Sequence, residues 1–276
     1  MDLMELAGDI ASDTFESVEY KYDNDRVYDY IALELAREFG NKLAFKGGYM
    51  LTKLMTETSR RTADVDLSIL SDEIYDDIKT RLTAIAEKLK HEGIIDRYEI
   101  KPEIKRTASG GITMYKNNIR IAGVDVGWHN LSYGVTVYET SVGKLYGFEI
   151  ERMLSDKITA ILSRKRFRRP KDIYDLLVIT DAFDIDLRKI LKYTTNRSNE
   201  SGVQIEWENF PFSETVLCEY KTAYDRLVVE SVYLNRILSK PEFEIAYERF
   251  GEIVIRLKAG GNYTWSAQSR TFREVS

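Results

Sequence analysis

With 276 residues, of which 43% are hydrophobic and 31% charged, the chain has the balance of a globular protein large enough for two cores, not of a disordered or membrane-spanning chain. A formal net charge of -5 excludes coating of nucleic acid by bulk attraction, so an anionic partner needs a local basic patch. The single cysteine, Cys218, excludes an internal disulfide or a multi-cysteine zinc site and is expected to be a small core residue.

Residues 1–20 carry acidic rather than basic side chains and no continuous apolar stretch, which fits neither a signal nor a transit peptide and leads to an expected cytoplasmic location. Val27, Ile31, Leu35 and Phe39 then recur four apart, the stripe of a helix that Gly40 can end. Leu43 to Lys46 reads as a short strand, Gly47-Gly48 as a tight turn and Tyr49 to Thr58 as a second helix. From Ala63 to Leu70 the chain alternates, with Val65, Leu67 and Ile69 on one face and Asp64, Asp66 and Ser68 on the other, which predicts a strand with an acidic face. Ile74, Ile78, Leu82, Ile85 and Leu89 place a crossover helix over Asp72 to His91.

From Ile94 to Gly147 short β-rich runs alternate with turn residues, so the sheet is expected to be mixed. Within it Ile119 to Val126 forms a strand in which Asp125 leaves the face opposite Val124 and Val126. After Glu149 helical patterns cover about 151–168, 170–184, 186–197, 213–239 and 241–258, with a polar loop and a short extended piece between Ser198 and Phe212. The expected class is therefore α+β: a mixed-sheet core over residues 1–148, followed by an α-helical domain over 149–276.

Residues two apart on a strand lie on one face, about 6.5 to 7 Å apart, so Asp64 and Asp66 can grip a pair of Mg²⁺ or Mn²⁺ ions with Asp125 as a third carboxylate. Taken alone, Asp-x-Asp reads more readily as the solvent face of an edge strand. The amides after Gly47-Gly48 open a helix and suit a phosphate, although a glycine pair can also serve only the turn. Lys157, Ile161 and Arg164 share a helical face, so Lys157 and Arg164 can converge on a triphosphate. Arg164 to Lys171 holds six positive side chains in eight positions; Lys165, Arg166 and Arg168 read as an RNA-backbone track or a solvated face. Asp172 follows Pro170 at a helix start, a routine place for an acid as well as a functional one. Arg61 can neutralise the carboxylates, reach a nucleotide or form a structural salt bridge.

Lys46-Gly47-Gly48-Tyr49-Met50-Leu51 and Arg61-Thr62-Ala63-Asp64-Val65-Asp66-Leu67 resemble the first two motifs of the AbiEii/AbiGii nucleotidyltransferase toxins of bacterial type IV toxin–antitoxin systems. Asp156-Lys157-Ile158-Thr159-Ala160, Arg164 and Arg169 to Leu176 resemble the C-terminal signature of that family, so the likeness spans about 43–177. The resemblance implies a DNA polymerase beta-like core, with Asp64 and Asp66 as the metal pair and Asp125 as the carboxylate that activates the acceptor hydroxyl. It further implies that Lys157 holds the triphosphate and that Asp172 sits beside the nucleotide, which Lys46, Gly47, Gly48, Arg61 and Arg164 also serve. NTP and Mg²⁺ or Mn²⁺, an RNA acceptor such as the tRNA 3' end or else a protein hydroxyl, and a cognate antitoxin come with it. Tyr49 departs from the family pattern, which has Ser or Thr there. Two alternatives stay open on sequence grounds: a nucleotide-binding module without turnover, and a nucleotide-sugar glycosyltransferase using Asp64-Val65-Asp66.

Overall fold

The computed structural model describes residues 20–55, 60, 62, 64–101, 110–128, 133–163, 169–201, 205–227, 230–231, 236–237 and 239–275. Contacts divide the chain into two compact units: residues 1–57, 61–148 and 231–236 form the first, and residues 58–60, 149–230 and 237–276 the second.

The first unit is a seven-stranded mixed sheet with helices. Helix α1 (Tyr20–Phe39) leads through a 3-10 turn into β1 (Leu43–Lys46), which passes directly into α2 (Gly47–Leu54). There follow β2 (Val65–Ile69), α3 (Tyr75–His91), β3 (Arg97–Lys101), β4 (Gly110–Lys116), β5 (Ile119–Trp128), β6 (Val135–Thr140) and β7 (Gly143–Phe148). The strand order is β3-β4-β5-β2-β1-β7-β6. β2 pairs with β5 and β1 with β7 in parallel, while the other neighbours are antiparallel. Antiparallel pairing of β3 with β4 and of β4 with β5 makes β3 parallel to β2, so α3 is the crossover expected from its periodicity. Helices α1 and α3 touch each other, α1 packing on β1, β5 and β7 and α3 on β3 and β4. Val65, Leu67, Ile69, Val124 and Val126 are wholly buried, the apolar face that the alternation predicts.

α2 is fixed from beneath. Tyr49 is buried and its hydroxyl donates to Asp29 Oδ1 of α1 at 3.0 Å; Lys53, one turn on, forms an ion pair with the same carboxylate and lies 5.3 Å from the Tyr49 ring centroid. Tyr49 therefore anchors the start of α2 to α1. Its hydroxyl is directed into the core, where a Ser or Thr side chain would not reach.

The second unit comprises α4 (Ile150–Leu162), α5 (Pro170–Ala182), α6 (Leu187–Ser201), α7 (Glu214–Asp225) and α8 (Phe243–Lys258). Four sequence expectations are corrected here. The unit is not purely helical: β8 (Ile185–Asp186) pairs with β11 (Tyr263–Ser266), which pairs with β12 (Thr271–Glu274). A two-residue strand and a four-residue hairpin are too short to register as periodicity. The helix expected over 213–239 stops at Asp225, where Lys240 Nζ donates to the carbonyls of Tyr224, Asp225 and Leu227, supplying the C-terminal cation that the helix itself lacks; short strands β9 (Glu230–Ser231) and β10 (Arg236–Ile237) follow. Cys218 is exposed, because Tyr220 and Tyr224 define the buried face of α7 and residue 218 lies about 200° from Tyr220 around the helix. The helix expected over 151–168 ends at Leu162, and residues 164–168 lie outside the described ones. No helix among the described residues is long and apolar enough to cross a membrane.

Trp265 of β11 is buried, donates through Nε1 to the Thr180 carbonyl at 2.5 Å and carries the Arg249 guanidinium 3.9 Å from its ring centroid. Trp265→Ala is expected to cost about 3–5 kcal/mol in urea denaturation, through the lost volume and the orphaned carbonyl.

Candidate active site

The strand register fixes the acidic face. Asp66 of β2 lies directly beside Asp125 of β5 across a parallel pair, and opposite Lys46 of β1 across an antiparallel pair. Side chains at paired positions leave the same face, so Lys46, Asp66 and Asp125 form one row perpendicular to the strands. Beyond Asp125 the row continues through Gly111 of β4 to Lys101 of β3. Asp64 precedes β2 and joins the same face, since a Cβ built on Gly123 would fall onto Asp64 Oδ1, and residues 123 and 125 share a face of β5. Thr62 sets this entry: its Oγ1 donates to the Asp64 carbonyl at 2.9 Å.

Gly47 opens α2 with a φ of +64°, and a Cβ there would overlap the Asp66 carboxylate. Glycine is thus required twice over, for the backbone conformation and for the approach of Asp66. The first amides of an eight-residue helix have no partner within it and carry the positive end of the helix dipole, and this helix opens at Gly47 beside Asp66.

Three carboxylates supply hard oxygen donors suited to Mg²⁺ or Mn²⁺. As the side chains stand, no three His, Cys, Asp or Glu groups among the described residues converge on one metal position. Asp64 is instead ion-paired with Arg120, and Asp125 with Lys101. Side-chain cations thus stand on two of the three carboxylates, and the donor set is of the oxygen type that such ions take.

The second unit holds a different charged cluster. Lys157 Nζ of α4 lies 2.6 Å from Asp175 Oδ2 and 3.2 Å from Asp172 Oδ1, both on α5, and all three side chains are buried. Arg60 grips both oxygens of Asp175 at 2.8 Å through Nε and Nη2. Arg169 Nε is 2.7 Å from Asp172 Oδ2. Burial alone would raise the Asp175 pKa, but the charges of Arg60 and Lys157 outweigh it and hold the carboxyl at about 2, down from 3.8. Lys171, next in the chain to Asp172, has its pKa lowered first by burial and then by Arg60 and Arg169, against the smaller opposing pull of the two aspartates. Four cations against two carboxylates leave the cluster with a positive excess.

Of the residues singled out by sequence, the structure brings Lys46, Gly47, Asp64, Asp66 and Asp125 together in the first unit, and Lys157 with Asp172 in the second. Gly48 is buried in the first turn of α2. Arg61 and Arg164 lie outside the described residues. Sequence reasoning passed over Arg60, Asp175, Lys101 and Arg120. Asp175 could have been found, since Asp172 and Asp175 are three apart and share a helix face opposite Lys157.

A family model described as nucleotidyl transferase AbiEii toxin, type IV toxin–antitoxin system, matches residues 32–249. MenT4, a nucleotidyltransferase toxin from Mycobacterium tuberculosis H37Rv, is similar in structure, with a TM-score of 0.55 and 14% identity over 92% of this chain and 89% of that one. JHP933 from Helicobacter pylori is similar with a TM-score of 0.53 and 14% identity over 88% of this chain and 94% of that one. At such identity these two establish a shared fold. No curated protein matches the sequence significantly.

Because the Asp175 pKa is lower folded than unfolded, its contribution is fully present above about pH 4 and is lost as pH falls towards 2. Urea denaturation is expected to show about 2 kcal/mol less stability at pH 2 than at pH 5 from this residue, a loss that Asp175→Asn removes. Arg60→Ala is expected to cost about 3–5 kcal/mol at pH 7 by leaving Asp175 under-compensated in the core.

Proposed function

The chain belongs to the AbiEii nucleotidyltransferase toxin family of type IV toxin–antitoxin systems, and from that premise we propose that it transfers a nucleoside monophosphate from an NTP to an RNA hydroxyl at a site built on Asp64, Asp66 and Asp125. It is a nucleotidyltransferase by family, and a type IV system supplies an antitoxin partner. The finer reading is supported chiefly by one observation: Asp66 and Asp125 in register on parallel neighbours, with Asp66 packed against the glycine that opens α2.

On this reading residues 1–148 carry the transfer chemistry and residues 149–276 form the accompanying domain. Asp64, Asp66 and Asp125 hold Mg²⁺ or Mn²⁺, which when bound polarises the α-phosphate and stabilises charge on the attacking and leaving oxygens. The amides of Gly47 and Gly48 hold phosphate oxygens, and Gly47 keeps that approach open. Lys46, beside Asp66 on the same face, adds a positive charge. Asp125 takes the proton of the acceptor hydroxyl as its oxygen attacks the α-phosphorus; the new O–P bond forms, the bond to the β-phosphate breaks, and pyrophosphate leaves with the electron pair. Arg61 is assigned to the nucleotide on family resemblance. In the second unit, Lys157 and Asp172 are assigned to holding the buried cluster beside the nucleotide-binding cations, and Arg169, Lys171 and the basic segment with Arg164 to binding an anionic group, supported by the positive excess of the cluster.

Tyr49 does not argue against phosphate binding, since its hydroxyl is spent on Asp29 and the amides are left for the ligand. The acceptor is taken to be RNA, with the tRNA 3' end as the first candidate and a protein hydroxyl as the second, and the reaction is placed in the cytoplasm, where NTPs and RNA meet.

Incubation with each α-labelled NTP, Mg²⁺ and total tRNA is expected to label RNA. Asp66→Asn and Asp64→Asn are each expected to lower the rate by about a hundredfold or more, because the transition-state charge loses its counter-ion. Labelling that survives both substitutions, or no labelled product with any NTP, contradicts the reading. Gly47→Ala is expected to lower the rate by about tenfold or more, from displacement of Asp66 and a strained positive φ.

A further inference from the structure

The transfer scheme leaves Lys101 and Arg120 unused, although each stands on one of the carboxylates that it requires. Both pairs are built over a glycine. Lys101 is paired in register with Gly111, across which it reaches Asp125; at Gly111, with a φ of +150°, a Cβ would fall onto the Val124 carbonyl, so glycine there serves the close approach of β4 to β5. Arg120 meets Asp64 above Gly123, where a Cβ would overlap both the Arg120 guanidinium and the Asp64 carboxylate. A chance surface pair does not need a glycine cleared beneath it, as Arg120 and Asp64 do at Gly123.

We propose that Lys101 and Arg120 are phosphate-binding residues of the transfer site, held on Asp125 and Asp64 until divalent cations take those carboxylates. The assignment rests on the nucleotidyl-transfer reading. A carboxylate oxygen coordinated by a divalent ion loses most of its attraction for a neighbouring ammonium or guanidinium, and the ion repels both. Lys101 and Arg120 are 39% and 42% exposed, so water screens the pairs and the long side chains exchange partners readily. Released, they remain tethered within a side chain's length of the metal-bound phosphates, where an arginine offers a two-toothed fork to phosphate oxygens and a lysine a point charge.

Charge accounting agrees. Asp64, Asp66 and Asp125 against Lys46, Lys101 and Arg120 sum to zero, and two divalent ions add four positive charges. A fully ionised nucleoside triphosphate cancels them. Without Lys101 and Arg120 the loaded site carries a negative excess.

Calorimetric titration tests this without turnover, with Mn²⁺ alone and then with inorganic tripolyphosphate in the presence of Mn²⁺, a probe that does not depend on which base is preferred. Lys101→Gln and Arg120→Gln are each expected to bind Mn²⁺ roughly three- to tenfold more tightly than the parent, since a competitor is gone, yet tripolyphosphate about tenfold more weakly. Opposite signs on the two ligands are not what a structural role produces. Arg120→Lys is expected to keep the parent Mn²⁺ affinity while losing tripolyphosphate affinity, because the charge stays and the fork goes. Mn²⁺ affinity unchanged or weakened in both glutamine variants, or tripolyphosphate affinity unchanged, overturns the assignment and leaves the transfer reading standing, provided that Asp66→Asn abolishes Mn²⁺ binding. If Asp66→Asn and the parent bind Mn²⁺ alike, the transfer site itself is wrong and the assignment falls with it.

Discussion

Carboxylates placed in register on adjacent strands repel each other, and the first unit is organised around that repulsion. Asp66 and Asp125 are direct neighbours, with Asp64 on the same face. Three features make the arrangement tolerable. Lys46, Lys101 and Arg120 bring an equal number of positive charges from β1, β3 and the start of β5. Gly47 and Gly123 remove the side chains that would overlap Asp66 and the Asp64–Arg120 pair. The opposite face of the same strands is wholly apolar and buried, which fixes the register, because a slip of one residue would bury the aspartates and expose the valines.

The second unit solves a similar problem differently. Asp172 and Asp175 are removed from water altogether, and Lys157, Arg60 and Arg169 bind them at ordinary hydrogen-bond or ion-pair distances. Such a cluster cannot exchange partners without exposing an uncompensated buried charge, so it fixes α4 against α5. The pairs on the sheet are half-exposed and can be exchanged for a ligand; the pairs between the helices are sealed. Burial therefore separates the carboxylates available to a cation from those that hold the helices in place.

Strand alternation from Asp64 to Ile69 and around Asp125, with the four-residue spacing of α1 and α3, made the acidic face, the apolar face opposite and the helices legible in the sequence. The glycine pair was legible too, because a positive φ and a helix start leave a signature in residue type. The partners of the aspartates were not. Lys101 reaches Asp125 across 24 residues and Arg120 reaches Asp64 across 56, through a register that no local pattern encodes. Arg61 stood out by its spacing three residues before Asp64, whereas its neighbour Arg60, which joins Asp175, carries no such spacing signal. Cys218 misled because residue type alone suggested a core position, whereas the helix buries Tyr220 and Tyr224 instead. The β-hairpin of the second unit was missed because its stability comes from Trp265 packing on α5 and α8, a tertiary term without periodicity.

The central claim is that Asp64, Asp66 and Asp125 form one divalent-cation centre facing the start of α2. Anomalous diffraction from crystals soaked with Mn²⁺ and a non-hydrolysable nucleoside triphosphate tests it most directly. The account expects anomalous peaks between Asp66 and Asp125, with phosphate density at the amides of Gly47 and Gly48. Manganese bound elsewhere in the molecule, with Arg120 and Lys101 still seated on the two aspartates beside an ordered nucleotide, would contradict it.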